Sequence, residues 1–392
     1  MNIPEIKAYY GAEKIIIAFY FFINVVSLAI MNKTSVYIGD QFGVPFDADA
    51  GAQLIYLCFV FFYFMFFYIL YKAIVDGDKH SSKTLNCLEV LFFVGTLLGW
   101  IGFFFFSYGK AEYQSNMSFG FIFRIIPYDV FFGLYIASMR KINKRSSILI
   151  LFYVSLKLAM GWSGFFVPLF WIFFIRVYNS KARTFCFSLK ITFFILFMFL
   201  LSPYVYYLKF YIRYGFEYDF NYFVIMSKLI ARLSVLPNAI FVYENSQQFI
   251  GLAKEYLSDG FFFLEPIVAI LPRSLLGLGG QNLETLYIYL VTSEFNPGVI
   301  FYLGYLGKLS LFYNWGVLNL LCFFFYSVLI VVVLFLLITK AIFRNGRPVA
   351  FCIMLQFLIS GSMEEISYSL YGLCFLLFFS MLKVGNRVIN RS

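Results

Sequence analysis

Between Pro203 and Lys308 the chain carries Lys209, Arg213, Lys228, Arg232, Lys254, Arg273 and Lys308, set among aromatic and aliphatic residues. The run Tyr204-Val205-Tyr206-Tyr207-Leu208-Lys209-Phe210-Tyr211-Ile212-Arg213-Tyr214 is typical of it. Such a stretch lies in a membrane interface and not in free water. A basic, aromatic site at that depth suits a ligand with an anionic headgroup and an apolar tail. Within Tyr222–Glu255 the apolar spacing is helical, which puts Lys228 and Arg232 on one face. Like charges at that spacing repel mildly, and an anion between them removes the penalty. Arg232 is the strongest single residue, because a guanidinium holds two phosphate oxygens at once. The competing readings are an arginine snorkelling to lipid headgroups and an ordinary solvated loop.

Further along, Leu271-Pro272-Arg273-Ser274 is followed by Gly277, Gly279 and Gly280, whose backbone N–H groups can approach an anion closely. Asn296-Pro297-Gly298, Leu303-Gly304-Tyr305-Leu306-Gly307-Lys308 and Tyr313-Asn314-Trp315-Gly316 then mark a return to the membrane. Arg124 and Asp129 sit inside an apolar run, where ionised groups are costly and usually functional. They either pair with each other or lend a charge to the site, and Lys157 is a similar case. Glu244, Glu364 and Glu365 are the outward carboxylates available for proton removal, against the plainer reading of solvated or helix-end acids.

The elements that must position these residues are membrane spans. Hydrophobic residues make up 62% of the 392 and charged residues 13%, against about 25% charged in a soluble domain. The net charge of +10 is spread over short loops and forms no basic domain, which argues against nucleic acid as a partner. The six cysteines lie in or beside apolar runs without a CxxC pair, so neither a disulfide framework nor a thiolate metal site is expected. The first apolar run lacks a small-residue cleavage site after it and reads as a retained helix.

The expected spans are Ile15–Met31, Leu54–Tyr71, Cys87–Ser107, Phe119–Met139, two short helices within Ser147–Tyr178 broken at Gly161-Trp162-Ser163-Gly164, Ile191–Tyr207, Trp315–Thr339, Val349–Ser360 and Ser367–Leu382. That is an all-α polytopic membrane protein of about ten transmembrane helices. Basic loops at Lys72–Lys83, Arg140–Arg145, Arg176–Lys190, Arg344–Arg347 and the C-terminus alternate with non-basic ones. The positive-inside rule places them and the N-terminus in the cytoplasm. One membrane domain, 1–392, then carries one large outer loop, 203–308, as its site.

The run from Leu271-Pro272-Arg273, through Asn296-Pro297-Gly298, to Phe312-Tyr313-Asn314-Trp315-Gly316 resembles the Wzy-type O-antigen and oligosaccharide repeat-unit polymerases. In that family a Pro-Arg pair closes a large periplasmic loop and an Asn-aromatic-Gly stretch leads into the next helix. The paired short helices around Gly161-Trp162-Ser163-Gly164 are similar too. Lys308 departs from the pattern, standing where many relatives place an acid, so no carboxylate acts at this position.

The resemblance implies a GT-C-like glycosyltransferase architecture in the bacterial inner membrane. It implies transfer of a glycan from undecaprenyl diphosphate onto the non-reducing end of another lipid-linked repeat unit at the periplasmic face. Because the leaving group is already a diphosphate, the enzyme must mainly bind developing negative charge. Arg232 and Arg273, with Arg213, can do so without a metal or other cofactor. Glu244 is assigned with Arg232 and Arg273 to catalysis, and Arg213, Lys228, Arg124, Lys157 and Lys308 to substrate binding. The partners implied are undecaprenyl-diphosphate-linked oligosaccharides, the bilayer and a chain-length regulator of the Wzz type; whether this chain binds such a regulator stays open. Two rivals remain. Asp47-Ala48-Asp49 can hold a divalent cation on a diphosphate, as in a metal-dependent glycosyltransferase using a polyprenyl-phosphate sugar. A lipid-linked oligosaccharide flippase or other transporter is the second, and the lack of an internal repeat weighs against it. An O-antigen ligase fits less well, since such enzymes use a periplasmic histidine and His80 falls in a loop assigned to the cytoplasm.

Overall fold

The computed structural model describes residues 11–41, 43–75, 85–106, 127–139, 143–161, 166–178, 193, 200–208, 211–212, 220–256, 283–295, 302–341 and 346–389. Arg124, Arg213 and Arg273 lie outside the described residues. In chain order the helices are α1 (Gly11–Thr34), α2 (Ala50–Val75), α3 (Leu85–Phe106), α4 (Tyr128–Ser138), α5 (Lys144–Ala159) and α6 (Phe166–Tyr178). There follow α7 (Tyr222–Leu233), α8 (Leu236–Glu244), α9 (Ser246–Tyr256), α10 (Leu283–Thr292), α11 (Gly304–Trp315), α12 (Val317–Ala341), α13 (Gly346–Ser360) and α14 (Met363–Ile389).

Among the described residues four helices, in α1, α2, α3 and α12, are long and apolar enough to cross a bilayer, and α7 with α8 makes a fifth if that bent pair counts as one span. The chain is a helical membrane protein. Side chains such as Leu54, Phe62, Phe105, Leu318 and Phe325 point outward and are largely exposed. An apolar surface of this extent is untenable in water and is at home in lipid. The expectation of about ten spans meets shorter helices: α4, α5, α6 and α13 run 11, 16, 13 and 15 residues. They still pack inside the bundle, α6 and α4 against α13 and α5 against α3.

An aromatic seam joins the helices. The Trp171 indole N–H donates to the Tyr20 hydroxyl at 3.1 Å, and Tyr20 stacks on Phe64. Tyr63 and Phe67 on α2 meet Tyr305 on α11, which also meets Phe357 on α13. Tyr20 and Tyr305 suit this role because each ring fills apolar space while its hydroxyl finds a partner, Trp171 for one and Ser327 for the other.

Polar residues collect at the two ends. At one, Arg347 of α13 lies 3.7 Å from Glu13 of α1, both buried, and the Tyr71 hydroxyl of α2 donates to the Arg347 carbonyl. Arg145 binds Glu89 at 2.6 Å, joining the starts of α5 and α3. The helix ends expected to share a compartment are therefore neighbours. At the other end, Tyr37, Gln41, Asn238, Tyr302 and Glu365 meet.

The segment expected as one irregular loop is helical where described. Helical spacing across Tyr222–Glu255 is present but broken at Ser234 and Asn245. The second piece, α8, packs against α11, α2 and α1 and is buried from Leu236 to Val242. It is a plug in the bundle.

Candidate functional site

The break between α7 and α8 bends the chain by 79°. It releases backbone N–H groups that lipid cannot satisfy. Asn24, wholly buried on α1, supplies the acceptor: its Oδ1 takes N–H bonds from Val235 and Leu236, both at 3.1 Å, and the Ser234 hydroxyl at 2.9 Å. Ser27 lies 2.8 Å from Ser234, oxygen to oxygen. The first amides of α8 are thus capped by a neighbouring helix, so anion binding falls to side chains and not to this helix start.

Those side chains are on α7. Asn221 caps that helix through N–H bonds from Phe223 and Val224. Lys228 and Arg232 follow one turn apart, both partly exposed. The Arg232 guanidinium lies over the Tyr206 ring, 5.6 Å from its centre. Tyr206 belongs to the helical residues 200–208, which are held along α7 by a Tyr222 hydroxyl bond to the Leu200 carbonyl and by Tyr204 stacked on Phe220. An arginine propped on an aromatic face has its planar fork held in orientation.

The loop between α1 and α2 covers the same helix. A bridge between Val36 and Pro45 closes this loop, and Gly39 at its tip has φ +90°. A Cβ there would come within 2.5 Å of the Ala231 Cβ, so glycine is required both for conformation and for close approach. Two side chains of this loop reach α8. Tyr37, buried between Phe46 and Phe241, donates from its hydroxyl to Glu244 Oε2 at 2.5 Å. Burial first, and then the Glu244 carboxylate, push the Tyr37 phenol well above its ordinary value. It therefore stays protonated and donates at every physiological pH.

Gln41 donates to Asn238 Oδ1 at 3.0 Å, and Asn238 donates to the Tyr302 carbonyl at 2.5 Å. The Tyr302 hydroxyl then donates to Glu365 Oε1 at 3.1 Å. Glu365 Oε2 accepts from Gln356 at 3.1 Å and from the Ser360 hydroxyl at 3.0 Å. This polar chain runs from the α1–α2 loop through α8 and Tyr302 to the α13–α14 turn.

Glu244 and Arg232 therefore sit on the two halves of one broken element. Two other expected cations are placed differently. Lys308 is fully buried, with Nζ 2.6 Å from Glu284 Oε1, and this pair ties α11 to α10. Direct contact with substrate, expected of Lys308, does not fit a side chain enclosed in this way. Lys157 is 2% exposed, and its Nζ lies 2.7 Å from Asp129 Oδ1 and over the Tyr128 ring. Asp129, expected either to pair with Arg124 or to lend a charge to the site, accepts from Lys157 and from Tyr153, the latter at 2.6 Å. Asp49 of the Asp47-Ala48-Asp49 run caps α2, its Oδ2 accepting from the amides of Gly51 and Ala52. Among the described residues no group of three or more His, Cys, Asp or Glu is placed to hold a metal ion.

The chain matches no protein-family model, no curated protein and no solved structure. What it does must be argued from these residues.

Asn24, Tyr37, Asn238 and Tyr302 went unremarked in the sequence. Asn24 had a signal, an amide inside an apolar span. The tyrosines had none, being two of 31.

Proposed function

We propose that this chain is a membrane glycosyltransferase that polymerises lipid-linked oligosaccharide repeat units, as the resemblance to Wzy-type polymerases implies. The observation that carries the reading is the partly exposed Lys228–Arg232 face, its arginine set over Tyr206, at a break whose far side is plugged into the bundle. A diphosphate attached to a polyprenol needs this combination of a cationic grip and an apolar surround. Arg232 binds the charge that develops on the leaving diphosphate, with Lys228, Arg213 and Arg273 as companions. An attacking sugar hydroxyl completes the transfer. On this reading the shorter helices count as spans in a ten-helix, GT-C-like arrangement. The Arg232 end faces the periplasm, both termini lie in the cytoplasm, and the membrane is the bacterial inner membrane.

Deletion of the chain and complementation test this. A polymerase leaves single repeat units on the lipid acceptor when lost, whereas loss of a flippase leaves none outside. Arg232→Ala and Arg273→Ala should each abolish the polysaccharide ladder while the protein still accumulates in the membrane. Full-length polymer from both variants defeats the assignment. Arg232→Lys separates bare charge, which it restores, from two-point phosphate contact, which it does not.

A further inference from the structure

We propose that Glu365 is the carboxylate that removes the proton from the attacking sugar hydroxyl, an inference that rests on the polymerase reading. Glu365 stands three residues after Ser362 at the start of α14, where the plain expectation for Ser-x-x-Glu is a capping box. Half of that box is present, since the Ser362 hydroxyl accepts from the Glu365 amide at 3.2 Å. The other half is not: the Ser362 amide donates to the Ser360 hydroxyl at 3.2 Å. The Glu365 carboxylate is turned to Tyr302, Gln356 and Ser360.

Those donors are a phenol, an amide and a hydroxyl from the α10–α11 connection and from α13. They fix the direction of the carboxylate through both of its oxygens. Its footing is rigid as well: Gly361 has φ +64°, and a Cβ there would lie 2.4 Å from the Gly304 carbonyl carbon. The α13–α14 turn is thus pressed on the start of α11. Tyr302 also receives Asn238 from α8 at its carbonyl, so Glu365 is braced on the element that carries the arginine break. Glu244, another of the outward acids, is exposed and held through Tyr37. A general base must be positioned, and Glu365, with three donors, is better held than Glu244.

In the step assigned to it, the hydroxyl oxygen bonds to the anomeric carbon of the donor glycan as its proton passes to Glu365. The bond from that carbon to the diphosphate oxygen breaks, and its electron pair leaves with the diphosphate. The carboxylic acid then returns the proton to water. Tyr302 is a positioning residue.

The experiment uses full-length protein in lipid vesicles, with the lipid-linked oligosaccharide pool extracted from a strain lacking this chain as the probe. Glu365→Gln should slow chain extension by roughly a hundred- to ten-thousand-fold while the variant still retains the probe. Glu365→Ala should recover extension when sodium formate is added, because a small carboxylate can occupy the gap. Unchanged extension by Glu365→Gln overturns the inference. So does loss of both retention and extension without formate rescue, which marks a structural acid. If either occurs while Arg232→Ala still abolishes extension, the polymerase reading stands. No extension by the unaltered protein removes both.

Discussion

A charged side chain buried in the bundle is held by its partner, and the consequences are measurable residue by residue. Lys308→Met leaves the part-buried Glu284 carboxylate without the ammonium 2.6 Å away, and should destabilise the protein by up to about 3 kcal/mol. Lys308→Met combined with Glu284→Leu should recover most of that loss in a melting curve. The Tyr37–Glu244 bond has its own pH signature. The phenol's value is raised by folding, so the bond stabilises fully below the ordinary tyrosine value of 10.0 and is lost as pH climbs above it. Tyr37→Phe should cost about 1 kcal/mol at neutral pH and weaken the alkaline dependence of melting. Arg232 and Glu244 were legible as single residues because charge in an apolar chain is conspicuous. Their partners were not, because Tyr206 and Tyr37 are ordinary tyrosines until folding brings them near. Lys308 misled for the same reason: Glu284, 24 residues earlier, gives no sign in sequence that it will meet that lysine.

At the scale of elements, the broken helix is the informative piece. Apolar periodicity showed that residues 222–255 are helical but not where the helix breaks, since Leu233-Ser234-Val235-Leu236 is not a strong breaker. Pro237 sits in the first turn of α8, where it is tolerated. The bend depends on Asn24, 210 residues from Ser234. Asn24→Leu should strand the Val235 amide at a cost of roughly 1–3 kcal/mol and leave the Leu236 amide only its longer bond to the Ser234 hydroxyl, at 3.4 Å. Limited proteolysis would then cut near Ser234 sooner than in the unaltered protein, with Asn24→Asp cut later than Asn24→Leu. Two short helices, α5 and α6, stand where the glycines lead one to expect them, α5 ending just before Gly161; Gly164 lies outside the described residues.

For the molecule as a whole, class was the easiest property to read, because composition alone demands a lipid environment. Alternating basic loops imply a grouping of helix ends as well, and the neighbouring starts of α1 and α13 accord with it. Reporter fusions within residues 76–84 and 140–142 should report one compartment, and a fusion after Tyr256 the opposite one. Agreement of all three would contradict the arrangement in which Glu13 and Arg347 mark one end and Tyr37 and Glu365 the other. The span count was less legible, since a short apolar helix inside a bundle and a membrane crossing look alike in one dimension.

The capping of α8 by Asn24 also imposes an order on biogenesis. The receptor for that plug leaves the ribosome 210 residues before Ser234, a wait of roughly ten to forty seconds at ordinary elongation rates. Throughout that interval the Asn24 carbonyl oxygen lacks the three donors that occupy it in the finished fold.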